Sequence, residues 1–481
     1  MHLSGLARLS FLYSFGEKYT LLLLNTIGAM VLARLLTPAD IGVYAVGAVL
    51  VGLIQVLRDF GVGPYVIQEK ELTEEKLRAV LAVALTVAWA LAALVLAASG
   101  PAARFYRDPR LADVLELLAV NFVLIPFSAV ALPYLRRQLR YKAIYAINVV
   151  QCTAQLVCGV ALASLGFGYL SLAWGAVAGG VATLLAGICL RPKDLPWLPS
   201  WRGARQIVQF GALNTAGSVI DEAGLAAPDL IIGKMIGVPE VGIFGKAMGV
   251  VNVFNQLVTA AVSPVIFPLF SAQARDGGDL RQAYLTTASY MTALAWPFFG
   301  FVALMAPAVV RLLYGDQWDA AVPLIRIICI ASALYSVFSM ARYLLVAMGE
   351  VGAQARVDAA TVPVRVAALL LAAPFGLHWV AWAVVFGAVF RSAMTFFCLA
   401  RLTGLCLGAL LAALRRSALV ALFTLSGPVA LMTWQPHGLA QLATAGLLGF
   451  SLWLAAVLFF QHELAAECML AGRKAMALIS K

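Results

Sequence analysis

Apolar runs long enough to cross a bilayer follow one another along almost the whole of this chain, with only short polar breaks between them. A first set lies near 11–35, 39–62, 77–99, 112–133, 143–164 and 169–190. A second lies near 207–233, 240–271, 283–305, 319–345, 352–373 and 379–400, and two more runs follow near 417–434 and 439–461. A hydrocarbon core about 30 Å thick needs about 20 apolar residues per helix. Backbone in lipid must satisfy its own hydrogen bonds, which favours helices for runs of this length. The expected fold is an all-α integral membrane protein with about 14 transmembrane helices. The 481 residues are 63% hydrophobic and 12% charged, whereas soluble domains are about half apolar and a quarter charged. A soluble enzyme is excluded, and the short loops leave no room for an extramembrane catalytic domain. The run from Ala7 to Leu36 is longer than a signal-peptide core, so no cleavable signal is expected.

The net charge of +11 would point to nucleic acid in a soluble chain. Here it reports topology, and no nucleic-acid partner is expected. With alternating sides and the N-terminus inside, 20 loop and tail Lys and Arg fall on the cytoplasmic side, including Arg136, Arg137, Arg140 and Lys142. The other side receives 6: Arg34, Arg104, Arg107, Arg110, Lys234 and Arg311. That asymmetry fits 14 spans with both termini cytoplasmic. The seven cysteines form no CxxC pair, and the four histidines share no ligand spacing. Neither a metal site nor a cofactor is expected.

The chain also repeats itself. Leu32 to Ala45 reads LARLLTPADIGVYA, and Ile232 to Gly245 reads IGKMIGVPEVGIFG. At an offset of 200, Arg34 matches Lys234, Asp40 matches Glu240, Gly42 matches Gly242 and Tyr44 matches Phe244. Arg104 to Asp108 echoes Arg311 to Asp316, and Ala173-Trp174 echoes Ala381-Trp382, each tryptophan six residues after a glycine (Gly168, Gly376). An even number of spans per repeat makes the two halves parallel, a transporter architecture with the substrate site expected between them. The expected organisation is a six-helix lobe over 1–190, a cytoplasmic linker over 191–206, a second six-helix lobe over 207–401, and two extra helices with a tail over 402–481.

The LARLLTPADIGVYA segment, the Arg58-Asp-Phe-Gly-Val-Gly run with Gln68, and PDLIIGKMIGVPEVGIFGKA (Pro228 to Ala247) together resemble the polysaccharide-export branch of the multidrug/oligosaccharidyl-lipid/polysaccharide (MOP) exporter superfamily. The resemblance covers the twelve core spans. It implies a Wzx-like flippase of the bacterial inner membrane that moves polyprenyl-pyrophosphate-linked oligosaccharide, serving exopolysaccharide, capsule or O-antigen synthesis alongside a polymerase and glycosyltransferases. Two rivals are weighed beside it. One is a cation-coupled multidrug antiporter, which calls for a net acidic cavity. The other is a polytopic glycan polymerase or transferase, which calls for a long exposed loop or an acidic DxD motif, and the chain has neither.

Within the spans lie eight basic residues, Lys18, Arg58, Lys246, Arg326, Arg342, Arg356, Arg365 and Arg391. Six acids accompany them, Glu17, Asp59, Asp221, Glu222, Asp229 and Asp358. A charge facing lipid at a helix centre costs about 2.5–3.5 kcal/mol, so these groups are expected to line an interior. The basic surplus suits a pyrophosphate, which guanidinium and ammonium groups can hold. Lys18, Arg58, Lys246, Arg365 and Arg391 are the candidate anion contacts, with Asn25 and Gln256 as sugar contacts. Arg58 can equally pair with Asp59. Asp221, Glu222 and Asp358 have two open roles, coupling to a Na+ or H+ gradient or charge balance. Polar stripes recur at helical spacing: Gln354, Asp358, Thr361 and Arg365; Asn148, Gln151 and Gln155; Asn252, Gln256, Thr259 and Ser263. Trp197, Trp201, Trp318, Trp379 and Trp434 read as interfacial anchors.

Overall fold

The computed structural model describes residues 5–59, 61–192, 194–432 and 439–465, with no side-chain description for 5–12, 15, 210, 212–221, 432 and 439. Every regular element among the described residues is helical. The first group comprises α1 (Gly5–Leu35), α2 (Pro38–Asp59), α3 (Val62–Gln68), α4 (Glu74–Tyr106), α5 (Arg110–Leu124), α6 (Pro126–Ala129), α7 (Ala131–Arg137), α8 (Tyr141–Ser164), α9 (Tyr169–Cys189) and α10 (Ala204–Met235). There follow α11 (Val238–Phe254), a π-helical turn (Asn255–Thr259), α12 (Ala260–Arg275), α13 (Leu280–Leu304), α14 (Ala306–Leu313), a 3-10 turn (Asp316–Ala321) and α15 (Val322–Ser336). The chain closes with α16 (Ala341–Ala347), α17 (Val351–Ala372), α18 (Leu377–Thr403), α19 (Leu407–Met432) and α20 (Leu439–Phe459).

Each expected span coincides with a helix or a broken run of helices. Among the described residues, twelve helical runs are long and apolar enough to cross a membrane, or up to 13 when α5 and the α6–α7 run, bent by 43°, count as one span. Fourteen were expected. Helix α10 is not among the twelve: its 32 residues include Arg205, Asp221, Glu222, Asp229 and Lys234. The protein is therefore an all-helical, multi-span membrane protein.

Contacts divide the chain into two compact units, 1–243 and 244–481. In the first, α8 packs on α1 and α9, α4 on α5, and α10 on α2 and α4. Its core gathers Val62, Tyr65 and Val66 of α3 with Leu77 to Ala84 of α4 and Ile207 of α10. In the second, α13 packs on α15 and α19, α18 on α15 and α17, and α19 on α20.

Local chemistry sets the helix ends. Thr37 and Asp40 cap α2 reciprocally: the Asp40 N–H donates to Thr37 Oγ1 (3.2 Å), and the Thr37 N–H donates to Asp40 Oδ2 (3.1 Å). Thr73 accepts from the Lys76 N–H (3.3 Å) to start α4, and Asp279 accepts from the Gln282 N–H (3.0 Å) to start α13. Pro126 has no N–H to continue the α5 ladder, and the span breaks there.

The repeat reappears in the backbone. Arg107 (φ 59°) and Gly315 (φ 97°) close the equivalent α4 and α14 ends, and Gly168 (φ 55°) and Gly376 (φ 98°) open α9 and α18, both at a shift of 208 residues. Leu139 (φ 57°) and Gly349 (φ 78°) make the turns before α8 and α17, at a shift of 210. The first repeat motif meets the second reciprocally. A Cβ on Gly42 would lie 2.0 Å from the Val238 carbonyl oxygen, and one on Gly242 would lie 2.4 Å from that of Pro38. Only glycine lets the two turns cross this closely.

Candidate functional site

The bend at Pro126 opens the first unit. Around it lies a cavity of about 740 Å³ lined from α2, α4, the α5–α7 run, α8, α9 and the start of α3. Its polar lining includes the amides Gln55, Asn121, Gln151 and Gln155 and the hydroxyls of Tyr44, Ser128 and Thr183; its charged lining is Arg58, Asp59 and Arg136. Arg137 holds the wall in place by donating to the Val66 carbonyl (2.9 Å) and the Lys70 carbonyl (3.2 Å) at the end of α3, a position where a cation offsets the free carbonyls.

Three glycines on α9 shape the amide side. A Cβ on Gly175 would stand 2.9 Å from the Gln155 carbonyl oxygen, one on Gly179 3.2 Å from Gln155 Cβ, and one on Gly180 2.2 Å from Asn121 Oδ1. That oxygen is buried and, among the described residues, has no hydrogen-bond partner, and Asn121 as a whole is 9% exposed. An orphaned buried acceptor costs about 1–3 kcal/mol.

The second unit carries charge instead. Arg391 Nη2 on α18 donates to Asp358 Oδ1 on α17 (2.7 Å), and Gln354 Nε2 donates to the other carboxylate oxygen (2.8 Å). The Arg391 guanidinium lies 5.9 Å from the Tyr335 ring centre. The stem of Arg365, also on α17, lies where a Cβ on Gly387 would be 3.3 Å away.

A family profile described as "Polysaccharide biosynthesis protein" matches residues 31–323, more than half of the chain. The chain belongs to that family. Among its relatives, "Teichuronic acid biosynthesis protein TuaB" of Bacillus subtilis is 22% identical over 309 residues, covering 62% of this chain and 62% of TuaB. "Lipopolysaccharide biosynthesis protein WzxC" of Escherichia coli is 26% identical over 336 residues, covering 68% of this chain and 67% of WzxC. The fold is similar to that of the lipid II flippase MurJ in an inward closed conformation, with a TM-score of 0.77, 12% identity, and coverage of 94% of this chain and 99% of MurJ.

The sequence-expected residues of this family member fall in distinct settings. Arg58 lines the first-unit cavity, and its guanidinium donates to Asp59 Oδ1 (3.1 and 2.7 Å). Asn25 lines a separate pocket of about 90 Å³ and accepts from Cys152 Sγ (3.7 Å). Lys18 is exposed on α1, while its neighbour Glu17 accepts from Asn148 Nδ2 (2.6 Å). Lys246 Nζ lies 4.9 Å from the Tyr314 ring centre and 5.5 Å from that of Trp318, a cation–π setting. Gln256 sits exposed in the π-helical turn, a backbone form frequent at functional sites. Glu222 is half-buried near Gly52. The side chain of Asp221 lies outside the described residues, as does Trp434. Of the expected groups, the structure brings Arg391 and Asp358 together as one cluster.

One anchor is corrected. Trp318 is fully buried (0% exposed), because the 3-10 turn after Gly315 folds its ring inward against Tyr314. Trp197, Trp201 and Trp379 are exposed. Sequence reading left Asn121, Thr183 and Arg136 out of the site and kept Gln151 and Gln155 only as a polar stripe. Asn121 stands alone in an apolar run, and the one signal beside it is the Gly175, Gly179, Gly180 spacing on α9.

Proposed function

We propose that this chain moves a polyprenyl-pyrophosphate-linked oligosaccharide across the bacterial cytoplasmic membrane by alternating access, for polysaccharide assembly. The observation that carries the reading is family membership over 31–323, together with relatives named for teichuronic acid and lipopolysaccharide biosynthesis. The fold shared with a lipid II flippase supports it. In this reading α10 is the fourteenth span, both termini face the cytoplasm, and two parallel six-helix lobes (1–190 and 207–401) precede two extra helices. Lys18, Arg58, Lys246, Arg365 and Arg391 meet the pyrophosphate, and Asn25 and Gln256 meet sugar. Asp358 balances the charge of Arg391, since both its carboxylate oxygens are engaged. The polymerase and glycosyltransferases of the same pathway supply and consume the lipid. A cation-coupled drug antiporter fits less well: among the described residues, Asp59 is the only carboxylate lining the first-unit cavity, and Arg58 holds it.

Proteoliposomes loaded with an undecaprenyl-pyrophosphate-linked hexose in one leaflet test the reading directly. Protein-dependent appearance of the sugar in the opposite leaflet is expected. Its absence, with cationic dye efflux in its place, would overturn the reading in favour of the antiporter.

A further inference from the structure

We infer that the amide wall of the cavity inside the first unit, where Asn121 on α5 faces the glycine notch of α9 beside Gln151 and Gln155 on α8, is a subsite for an uncharged, hydroxyl-rich sugar ring, with Arg58 of the same cavity left to the pyrophosphate. The inference rests on the flippase reading and assigns one end of its substrate to one place.

The wall is built for neutral hydrogen bonding. A carboxamide offers an acceptor and two donors without charge, so a row of them matches sugar hydroxyls, whereas an anion calls for cations. Asn121 is more than nine-tenths buried, and its carbonyl oxygen has no hydrogen-bond partner among the described residues. The space it occupies exists because position 180 has no Cβ, which would stand 2.2 Å from that oxygen. Gln155 sits in the same way against Gly179. The cavity, about 740 Å³, falls within the roughly 300–1,000 Å³ typical of small-ligand sites and fits a short oligosaccharide.

The repeat supplies an internal comparison. At the 208-residue shift set by Gly168 and Gly376, Ala388 stands where Gly180 does and Arg391 where Thr183 does. At the 210-residue shift set by Leu139 and Gly349, Arg365 stands where Gln155 does and Asp358 where Asn148 does. The same helical hairpin is amide-lined and notched in the first half, and ionic without the second notch in the other. A substrate with a neutral glycan joined to a charged pyrophosphate has two ends of matching kinds.

The test uses the purified full-length chain in nanodiscs and two probes: undecaprenyl pyrophosphate, and the same lipid bearing a neutral trihexose. Wild type is expected to bind the glycosylated lipid at least tenfold more tightly than the bare one. Gly180→Ala pushes aside only the end of a side chain, and Asn121→Ala deletes the amide. Each is expected to erase most of that tenfold while leaving bare-lipid binding within twofold of wild type. Thermal unfolding checks that each variant is folded, and Asn121→Ala carries the test if Gly180→Ala is not. Equal wild-type binding of both lipids, or a sugar increment that survives in the folded variants, overturns the pocket and leaves the flippase reading standing. A wild type that binds neither lipid overturns the flippase reading, and the pocket with it.

Discussion

Helices α8 and α9 in the first unit and α17 and α18 in the second are punctuated alike: a residue at positive φ precedes each pair, and a glycine at positive φ separates its members. Gly179 makes room for Gln155 in one hairpin, and Gly387 makes room for the stem of Arg365 in the other. The side chains filling this common frame differ in kind. The first hairpin presents amides to a cavity, whereas the second carries Arg365, Arg391 and Asp358 at the matching positions, with Arg391 tied to Asp358. The frame thus accepts either chemistry, and the ionic version carries its own counter-charge because a lone charge at membrane depth is costly.

Putting a cation into the neutral hairpin should break this contrast most severely. Gln155→Arg adds a charge to a cavity whose one lining carboxylate among the described residues, Asp59, is already held by Arg58, and a loss of about 2–3 kcal/mol in stability or insertion is expected, read as lower yield and an earlier unfolding midpoint. A variant as stable as wild type would show that the first-unit wall is wetter than its amides imply. Removing the counter-charge from the ionic hairpin comes next. Asp358→Ala should destabilise by about 2 kcal/mol, between the values for exposed and buried pairs, and lower transport about tenfold. Exchanging the charges (Asp358→Arg with Arg391→Asp) should recover part of both, and no recovery would assign the loss to something other than the pair. A smaller and symmetric effect is expected for Gly179→Ala and Gly387→Ala, whose added methyls meet side-chain carbons at 3.2 and 3.3 Å. Each should cost about 1 kcal/mol by overpacking, and costs differing by more than that would deny that the two notches are equivalent.

The smallest effect concerns helices with no counterpart in the first half. His462 is buried beyond α20; its Nδ1 accepts from the Leu464 N–H (3.1 Å), so Nε2 carries the proton toward the hydroxyls of Ser289 and Ser417 (3.1 Å each). Burial, reinforced by Arg416, pushes its pKa down to about 4. A group held neutral in this way contributes its full stability above its unfolded pKa of about 6.5, and loses it as pH falls from there towards 4. Hydrogen-exchange protection around 460–465, after correction for the intrinsic pH dependence of amide exchange, should therefore fall over that window, while Ser417→Ala should lower it at neutral pH as well. Protection that stays constant with pH would remove the pin.

Much of this architecture was legible in the sequence because helices in lipid are dictated by run length and polarity. The Gly42 and Gly242 match was visible as a repeat before any crossing was known. The Asp358 stripe showed which face of α17 turns inward, but its pairing with Arg391 depends on how α17 packs on α18. Asn121 was invisible: one amide in an apolar run has no period, and its meaning comes from Gly180, 59 residues away in sequence. Trp318 was misplaced because it stands at the edge of an apolar run, where an interfacial anchor is expected, while the tight turn directs the ring into the protein.

The meeting of Gly42 with Val238 and of Gly242 with Pro38 ties the fate of two distant positions together. Each turn offers the other a glycine and a carbonyl at the same place in its motif. A methyl added at either glycine would meet backbone, which has no rotamer to swing aside. Drift at one position is therefore closed off for as long as the other turn keeps its shape.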